Sequence, residues 1–446
     1  MVGDDSLFLP RSAPGRYGCF VPNPAVSITV PPSVDSFAAL RHPFVRRFAI
    51  GRFAATAGWQ MINVAVGWHL YERTGDPWSL GLVGVVELAP VLLLIVVAGN
   101  AADRYPRRHV AVFAHGLVAI AAVGLALVSL RQGPTLAIYL LLALIGTGRA
   151  FASPSVSTIL PQLLAPSEFT NANAWLSSIF QLAAISGLAM GGLLIAETGT
   201  ATVPFAVAAA GQLVFIVLLQ TLPLRRPTPS NTAHSAHDVF AGFRFIRHNP
   251  MFLAAITLDL FAVLFGGAVA LLPIFAKDIL GVGPAGLGWL RAAPGVGALT
   301  MALLTTRLAP WQRPGRTLLL VVAGFGLATL GFGLSRSFAL SLVCLFFTGV
   351  FDNVSVVIRL TLEQTITPDH LRGRVSAINY VFIGFSNELG AFESGATAAL
   401  FGPTLSVVGG AVATLFVVAI VGATWPQLAR LGPLHVLAPA DARNQP

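Results

Sequence analysis

The sequence is short of charge. Only 10% of its 446 residues are Asp, Glu, Lys or Arg, 55% are hydrophobic and the mean hydropathy is +0.77, whereas a soluble domain carries roughly 25% charged residues. Such a composition leaves little room for a water-soluble globular enzyme. Cysteine is scarce too: Cys19 and Cys344 provide neither a disulfide framework nor a cysteine metal cluster. The chain also lacks a phosphate-cradling Gly-x-x-x-x-Gly-Lys-Ser/Thr loop, a His-Glu-x-x-His pair and any polar stretch large enough for a catalytic domain. ATP-driven transport and zinc proteolysis are thereby disfavoured. The chain is not expected to be an enzyme, and no cofactor or metal is expected.

What the sequence has instead is long apolar runs. Twelve of them, each about 20 residues and able to cross a core of about 30 Å, fall near 48–71, 79–100, 109–130, 136–160, 172–196, 203–222, 251–275, 285–306, 317–335, 338–360, 375–400 and 405–425. The expected fold is an all-α membrane protein with twelve transmembrane helices in two pseudo-symmetric six-helix bundles. The bundles are placed at 45–222 and 251–425, with a polar cytosolic loop at 223–250 between them and a cytosolic tail at 426–446. Residues 1–44, rich in proline and without a sustained apolar core, fit a disordered cytosolic tail better than a signal peptide.

The net charge of +9 could suggest nucleic acid, but the placement of the basic residues decides against it. With both termini inside, the cytosolic tails and loops hold 20 arginines, and the opposite loops hold only Arg73, Arg131, Lys277 and Arg336. This is the bias of the positive-inside rule, and it leaves no nucleic-acid partner to explain. An internal repeat supports the division into halves: Leu160-Pro161-Gln162 with Pro166 matches Leu362-Glu363-Gln364 with Pro368, each read as the loop after a fourth span. Two parallel six-helix repeats suit a transporter whose halves rock about a midplane site.

After the second span comes Gly99-Asn100-Ala101-Ala102-Asp103-Arg104-Tyr105-Pro106-Arg107-Arg108. Gly99 permits close helix approach, Asp103 can sit against the positive N-terminus of another helix, and Arg104, Arg107 and Arg108 can hold the loop at the headgroups. A plain positive-inside anchor would need these arginines but no aspartate among them. The run resembles the signature loop of the major facilitator superfamily, with Pro106 at the usual glycine. Wider similarity, from about residue 40 to 430, is to the enterobactin-exporter-like branch, which handles siderophores and drugs. It is carried by Leu258-Asp259-Leu260-Phe261-Ala262, Gly281-Val282-Gly283-Pro284-Ala285-Gly286-Leu287-Gly288 and Phe351-Asp352-Asn353-Val354-Ser355. Arg372-Gly373-Arg374-Val375-Ser376 and Ser386-Asn387-Glu388-Leu389-Gly390 followed by Phe392-Glu393-Ser394-Gly395 complete it. The resemblance implies a twelve-helix exporter of the bacterial inner membrane. Antiporters of the superfamily often carry Gly-Pro-x-x-Gly-Gly in span five; here Gly187-Leu188-Ala189-Met190-Gly191-Gly192 has no proline, which argues against a kink while keeping three glycines for tight packing.

An ionisable group at a helix centre costs roughly 2.5–3.5 kcal/mol on insertion scales, so each one marks a functional site or a buried pair. In the superfamily, spans 1, 4, 7 and 10 line the central cavity. Span one offers Arg52, Thr56, Gln60, Asn63 and Gly67 on one face, span four Arg149, span seven Asp259, and span ten Asp352 and Asn353. Gln60, Asn63, Arg149, Asn353 and, from span eleven, Asn379 are the expected cavity residues. Arg149 can bind an anionic cargo or balance a carboxylate, or it can form a fixed ion pair with Asp259 or Asp352. Asp259, Asp352 and Glu388 are the candidates for proton coupling, because burial favours the protonated carboxyl and a nearby arginine the charged one; fixed pairing and helix packing are the competing roles.

On span eleven Glu393 lies about 140° round the helix from Glu388, so it is placed in the outer gate, with bonding between helices as its alternative. Glu87, three residues before Pro90, and Arg291, three before Pro294, occupy comparable places in the two halves, which suggests an outer ion pair that makes and breaks. For Arg291 a lipid headgroup is the alternative. His69 and His115 read as packed or interfacial, and Trp59 and Trp68 as cargo-stacking or belt residues.

The expected function is secondary active export of a small siderophore-like or drug-like molecule, with proton antiport and alternating access. The expected partners are the small-molecule substrate, protons and the lipid bilayer, and the expected state is a monomer. The alternatives are an importer of the same fold and a non-transport membrane sensor. Asp103 with Arg372 and Arg374 would latch the cytosolic gate. Replacing Asp103 by Asn should therefore slow transport severalfold with membrane expression intact, and wild-type transport rates in that variant would remove the latch role.

Overall fold

Twelve long helices carry the chain in a computed structural model that describes residues 37–157, 159–164, 168–224, 243–308 and 311–433, without the side chains of Ala38, Ala102, Asp103, Ser157 and Asp369. They are α1 (Pro43–Thr74), α2 (Pro77–Arg104), α3 (Arg107–Leu130), α4 (Thr135–Ser157), α5 (Phe169–Thr198) and α6 (Thr202–Gln220). The second set is α7 (Pro250–Ile279), α8 (Gly283–Thr305), α9 (Pro314–Leu334), α10 (Phe338–Ile366), α11 (Asp369–Phe401) and α12 (Pro403–Thr424). Among the described residues there is no strand. Each apolar run read from the sequence overlaps one helix.

Ten of the helices are long and apolar enough to cross a membrane by length and composition alone. The other two, α1 and α11, are 32 and 33 residues long and interrupt their apolar sequence with Arg, Gln, Asn, Ser and Glu. The reason is their position: both contribute side chains to the central cavity. Local signals set the ends. The Asp76 side chain caps α2 through the Trp78 amide and Asn249 caps α7 through the Phe252 amide, while α1 and α5 stop at Gly75 and Gly199, with φ of 62° and 66°.

Helix α7 departs from the single uninterrupted span expected. It is α-helical to Phe265, breaks at Gly266–Gly267, turns through a 3-10 segment at Ala268–Leu271 and ends in a π turn at Phe275–Ile279. At the break Gly267 lies on α11, where a Cβ would come 2.5 Å from both the Gly390 carbonyl and the Ser394 hydroxyl. Non-helical backbone at membrane depth is tolerated where it lines a cavity or is buried in protein, and residues 266–270 are part of the cavity wall.

Other sequence readings shift as well. Leu362, Glu363 and Gln364 belong to the last turns of α10 rather than to a loop, whereas Leu160–Leu163 forms a short separate helix after α4; Pro166 lies outside the described residues. Within the stretch read as an N-terminal tail, Ala38–Arg41 is helical and sits on α5: the Ala39 amide donates to Asn171 Oδ1 at 3.2 Å, and the Phe37 ring lies 5.1 Å from that of Trp175. The rest of that tail, most of the loop between the halves and residues 434–446 lie outside the described residues.

The halves meet along two seams, α2 against α11 and α5 against α8. Glycine makes both possible: a Cβ on Gly81 would stand 3.1 Å from the Gly395 Cα, and one on Gly192 would stand 2.7 Å from the Gly288 Cα. Gly187 and Gly191 seat α5 on Ala57 and Met61 of α1, and α5 itself runs unbroken to Thr198. The α2–α11 seam is tight toward the loop at Gly75–Asp76, where Trp78 meets Phe392 edge to face at 5.4 Å. Toward the opposite end no such close contact is found among the described residues: Gly99 of α2 and Gly373 and Gly384 of α11 have nothing within 4 Å of a Cβ position, and Leu93 and Tyr380 are exposed. Overpacking such a contact costs about 1–3 kcal/mol, so Gly192→Val should lower the unfolding midpoint in detergent. Gly409→Ala, where nothing lies within 4 Å, should leave it unchanged; equal midpoints for both variants would show that the α5–α8 seam is loose.

Candidate functional site

Between the seams lies a cavity of about 750 Å³, lined by Trp59, Asn63 and Gly67 of α1, Glu87 of α2, Arg149 of α4 and Gln181 of α5. The other half contributes Asp259, Arg291, Asp352, Asn353, Arg359 and Glu388. Seven charged side chains therefore face one space inside a bundle of apolar helices.

They are arranged in two linked groups and two single residues. Arg149 Nη1 lies 3.0 Å from Glu87 Oε2 and 3.0 Å from Glu388 Oε1, so one guanidinium holds carboxylates from both halves. Its plane lies over the Trp59 ring at 4.8 Å, a cation–π contact that adds to its placement. The second group is an ion pair between Arg359 and Asp259, with Arg359 Nε also donating to the Ser355 hydroxyl at 3.3 Å. Asp352 is exposed to the cavity about two helical turns before Arg359. Arg291 stands apart, its Nε buried without a hydrogen-bond partner.

These positions revise several expectations. Arg149 does not pair with Asp259 or Asp352; its partners come from α2 and α11, while Asp259 is taken by Arg359 on α10. Glu87 and Arg291 form no ion pair, because the Glu87 carboxylate is bound to Arg149. Asn379 is absent from the cavity wall: it turns toward α10, where its amide donates to Glu363 Oε2 at 2.8 Å beside the Ser376–Glu363 hydrogen bond. Gln60 also stays off the wall, its Oε1 accepting from Asn63 Nδ2 at 2.9 Å while its stem packs near Gly187. Glu393 is half-buried beside Ser394, one face away from the cavity-lining Glu388 and Ala391. Asn353 does reach the wall, with its Oδ1 buried and unpaired.

At the end away from the close α2–α11 contact, Arg104 and Arg372 are exposed, Arg372 donates to the Gln364 carbonyl at 3.3 Å, and Arg108 bonds the Leu222 carbonyl. Arg374 is partly exposed on the first turns of α11, Arg107 opens α3, and Gly99 has nothing within 4 Å of its Cβ position. The side chain of Asp103 lies outside the described residues. At the opposite end Tyr71 of α1 bonds Asp278 and lies under Lys277, whose Nζ is 5.6 Å from the ring centroid. This contact between the halves went unread in the sequence, as did the burial of Glu363; an interfacial Tyr and an Asp near a helix end carry no pattern that stands out. His115 is packed, bonding Gln212 Oε1 at 2.7 Å, and His69 lies edge-on to Phe205.

The major facilitator superfamily profile matches residues 48–391. The chain is 31% identical over 369 residues to the enterobactin exporter EntS of Escherichia coli, covering 82% of this chain and 88% of that protein, and matches EntS of Shigella boydii serotype 18 to the same extent. Among solved structures, a bacterial homologue of the human lysosomal transporter Spinster, inward-facing and unoccupied, superposes with a TM-score of 0.68 at 16% identity, over 87% of this chain and 96% of that one. A bacterial homologue of the iron transporter ferroportin in an inward-facing state gives 0.68 at 17% identity, over 88% and 99%.

Removing one partner of a buried pair costs about 3–5 kcal/mol, and less where solvent reaches it. Arg149→Gln should therefore lower the unfolding midpoint by leaving Glu87 and Glu388 face to face, and adding Glu87→Gln should recover part of the loss. Equal midpoints for the single and double variants would show that the two carboxylates do not depend on the shared arginine.

Proposed function

The chain belongs to the major facilitator superfamily, and from that premise we propose that it exports a mid-sized, partly apolar organic molecule of siderophore or drug type by proton antiport. It is a multi-pass membrane protein and a secondary transporter of small molecules. The observation that carries the finer reading is the cavity: large enough for an organic molecule, ringed by charges and seated between two six-helix halves whose close α2–α11 contact is at one end. Similarity to a protein named for enterobactin export favours outward movement and a cargo of that class.

The membrane is the bacterial inner membrane, with both termini in the cytosol; the 20 arginines on that side support this orientation. The end away from the close α2–α11 contact is then the cytosolic one, and the loop Gly99–Arg108 with Arg372 and Arg374 forms the gate there. Coupling follows from charge. Arg149 can satisfy Glu87 and Glu388 together only while α2, α4 and α11 stay close, so protonating Glu388 frees the halves to separate on the outer side. Asp352, facing the cavity without an ion-pair partner among the described residues, is the second proton site. The transporter works as a monomer, since each chain holds a whole cavity.

The reading is tested with purified protein in proteoliposomes, following efflux of ethidium and of a catecholate siderophore under an imposed proton gradient. Wild type should extrude at least one of them, a protonophore should stop it, and Glu388→Gln or Asp352→Asn should slow it tenfold or more. Efflux indifferent to the protonophore would remove antiport, and gradient-driven uptake would make the protein an importer.

A further inference from the structure

Three arginines face the cavity, and they are not in the same condition. Arg149 is held by two carboxylates and Arg359 by Asp259. Arg291, on α8 in the other half from Arg149, has neither: no hydrogen bond or ion pair to it is found among the described residues, and its Nε is buried. The acidic groups around the cavity are Glu87, Asp259, Asp352 and Glu388. Glu87 is the one whose charge acts on Arg291, yet that carboxylate bonds Arg149 at 3.0 Å. A guanidinium offers five donors in a planar fork and stays charged, so leaving it unpaired at this depth is costly unless something else supplies oxygen atoms.

The space beside it is built by an absence. Arg291 lies against α1 at Gly67, where a Cβ would stand 3.3 Å from Nη2 and 3.1 Å from Pro273 Cγ. A side chain at 67 would press on the end of the guanidinium and on Pro273, so that one or the other would have to give. Gly67 is also the last rung of a stripe on α1, Trp59, Asn63 and Gly67, spaced by four residues and all on the cavity wall. The stripe leads from the Arg149 group, over the indole, past an amide, to Arg291 at the closed outer end.

We propose that Arg291 is the anion seat of the cavity and that the cargo carries a carboxylate- or phenolate-type oxyanion which takes up its free donors. The assignment rests on the cavity being the cargo site. It moves recognition of negative charge away from Arg149, whose donors already serve two protein carboxylates, to the residue that has none. A fork of two N–H groups matches a planar pair of oxygens, so the seat distinguishes an acid from its amide of equal size.

The test uses the full-length protein in detergent and two matched probes, 2-naphthoate and 2-naphthamide, titrated at pH 7.5 with saturation-transfer NMR. Wild type should bind the carboxylate at least fivefold more tightly than the amide. Arg291→Gln should bring the two within twofold while keeping the amide affinity, and Gly67→Ala, which leaves the charge in place but crowds the seat, should also reduce the preference. If Arg291→Gln no longer binds the amide, its cavity is lost and Gly67→Ala decides. A wild type without preference for the carboxylate, or a preference that survives in the deciding variant, overturns the seat. Efflux of ethidium and of a catecholate siderophore from proteoliposomes of the same variants separates the two readings: efflux with no acid preference in binding keeps export and sinks the seat, whereas an acid preference without efflux of either cargo sinks export alone.

Discussion

The Arg149 guanidinium is the point on which the arrangement of the two halves turns. One cation from α4 is shared by a carboxylate of its own half, Glu87, and one of the other half, Glu388. Neither carboxylate could sit in the bundle alone at tolerable cost, and a guanidinium there needs both oxygens as much as they need it. The consequence reaches outward along the chain. With α2 and α11 drawn together at Glu388, the glycines at 81, 84 and 395 come into backbone contact and Trp78 meets Phe392. At the same end, Tyr71 and Asp278 join α1 to the end of α7. An ionic contact at mid-depth and a small-residue seam above it therefore stand or fall together.

The second ionic group works differently, because it lies within one half. Asp259 and Arg359 join α7 to α10, and Glu363 with Ser376 and Asn379 joins α10 to α11 one turn further on. Contacts of this kind hold a half rigid while the other group governs how the halves meet. The division suits a carrier that moves by rocking two rigid bodies, and it explains why polar residues in the second half cluster on α7, α10 and α11.

Much of this was legible in the sequence because hydrophobic length is a strong signal and glycine spacing a fair one. The twelve helices and the polar content of the cavity helices followed from runs of about 20 apolar residues and the few charges that interrupt them. Partners were not legible. Nothing in the spacing of Glu87, Arg149 and Glu388 says that three helices bring them to one point, and the symmetry of Glu87 with Arg291 pointed to a pair that the fold does not make. Rotation about a helix axis is the missing quantity: Asn379 and Glu388 are both polar and both on α11, yet one faces α10 and the other the cavity. The break in α7 was hidden because Gly266–Gly267 sits inside a run whose apolar composition never falters, and only the contact with α11 at Gly390 shows why glycine is needed there.

The absence of close α2–α11 contact among the described residues at one end has an electrical consequence. Solution filling the cavity from that end would carry the potential of that compartment inward to the groups on its wall. The voltage across the membrane would then fall over the packed layer at the joined end alone, a fraction of the bilayer thickness, so the field there would be steeper than in the surrounding lipid. An elementary charge crossing the whole potential gains about 2.3 kcal/mol per 100 mV. Most of that difference would be met by a charge moving through the layer between the cavity and the Tyr71–Asp278 contact, and hardly any by Asp259, which is on the cavity wall.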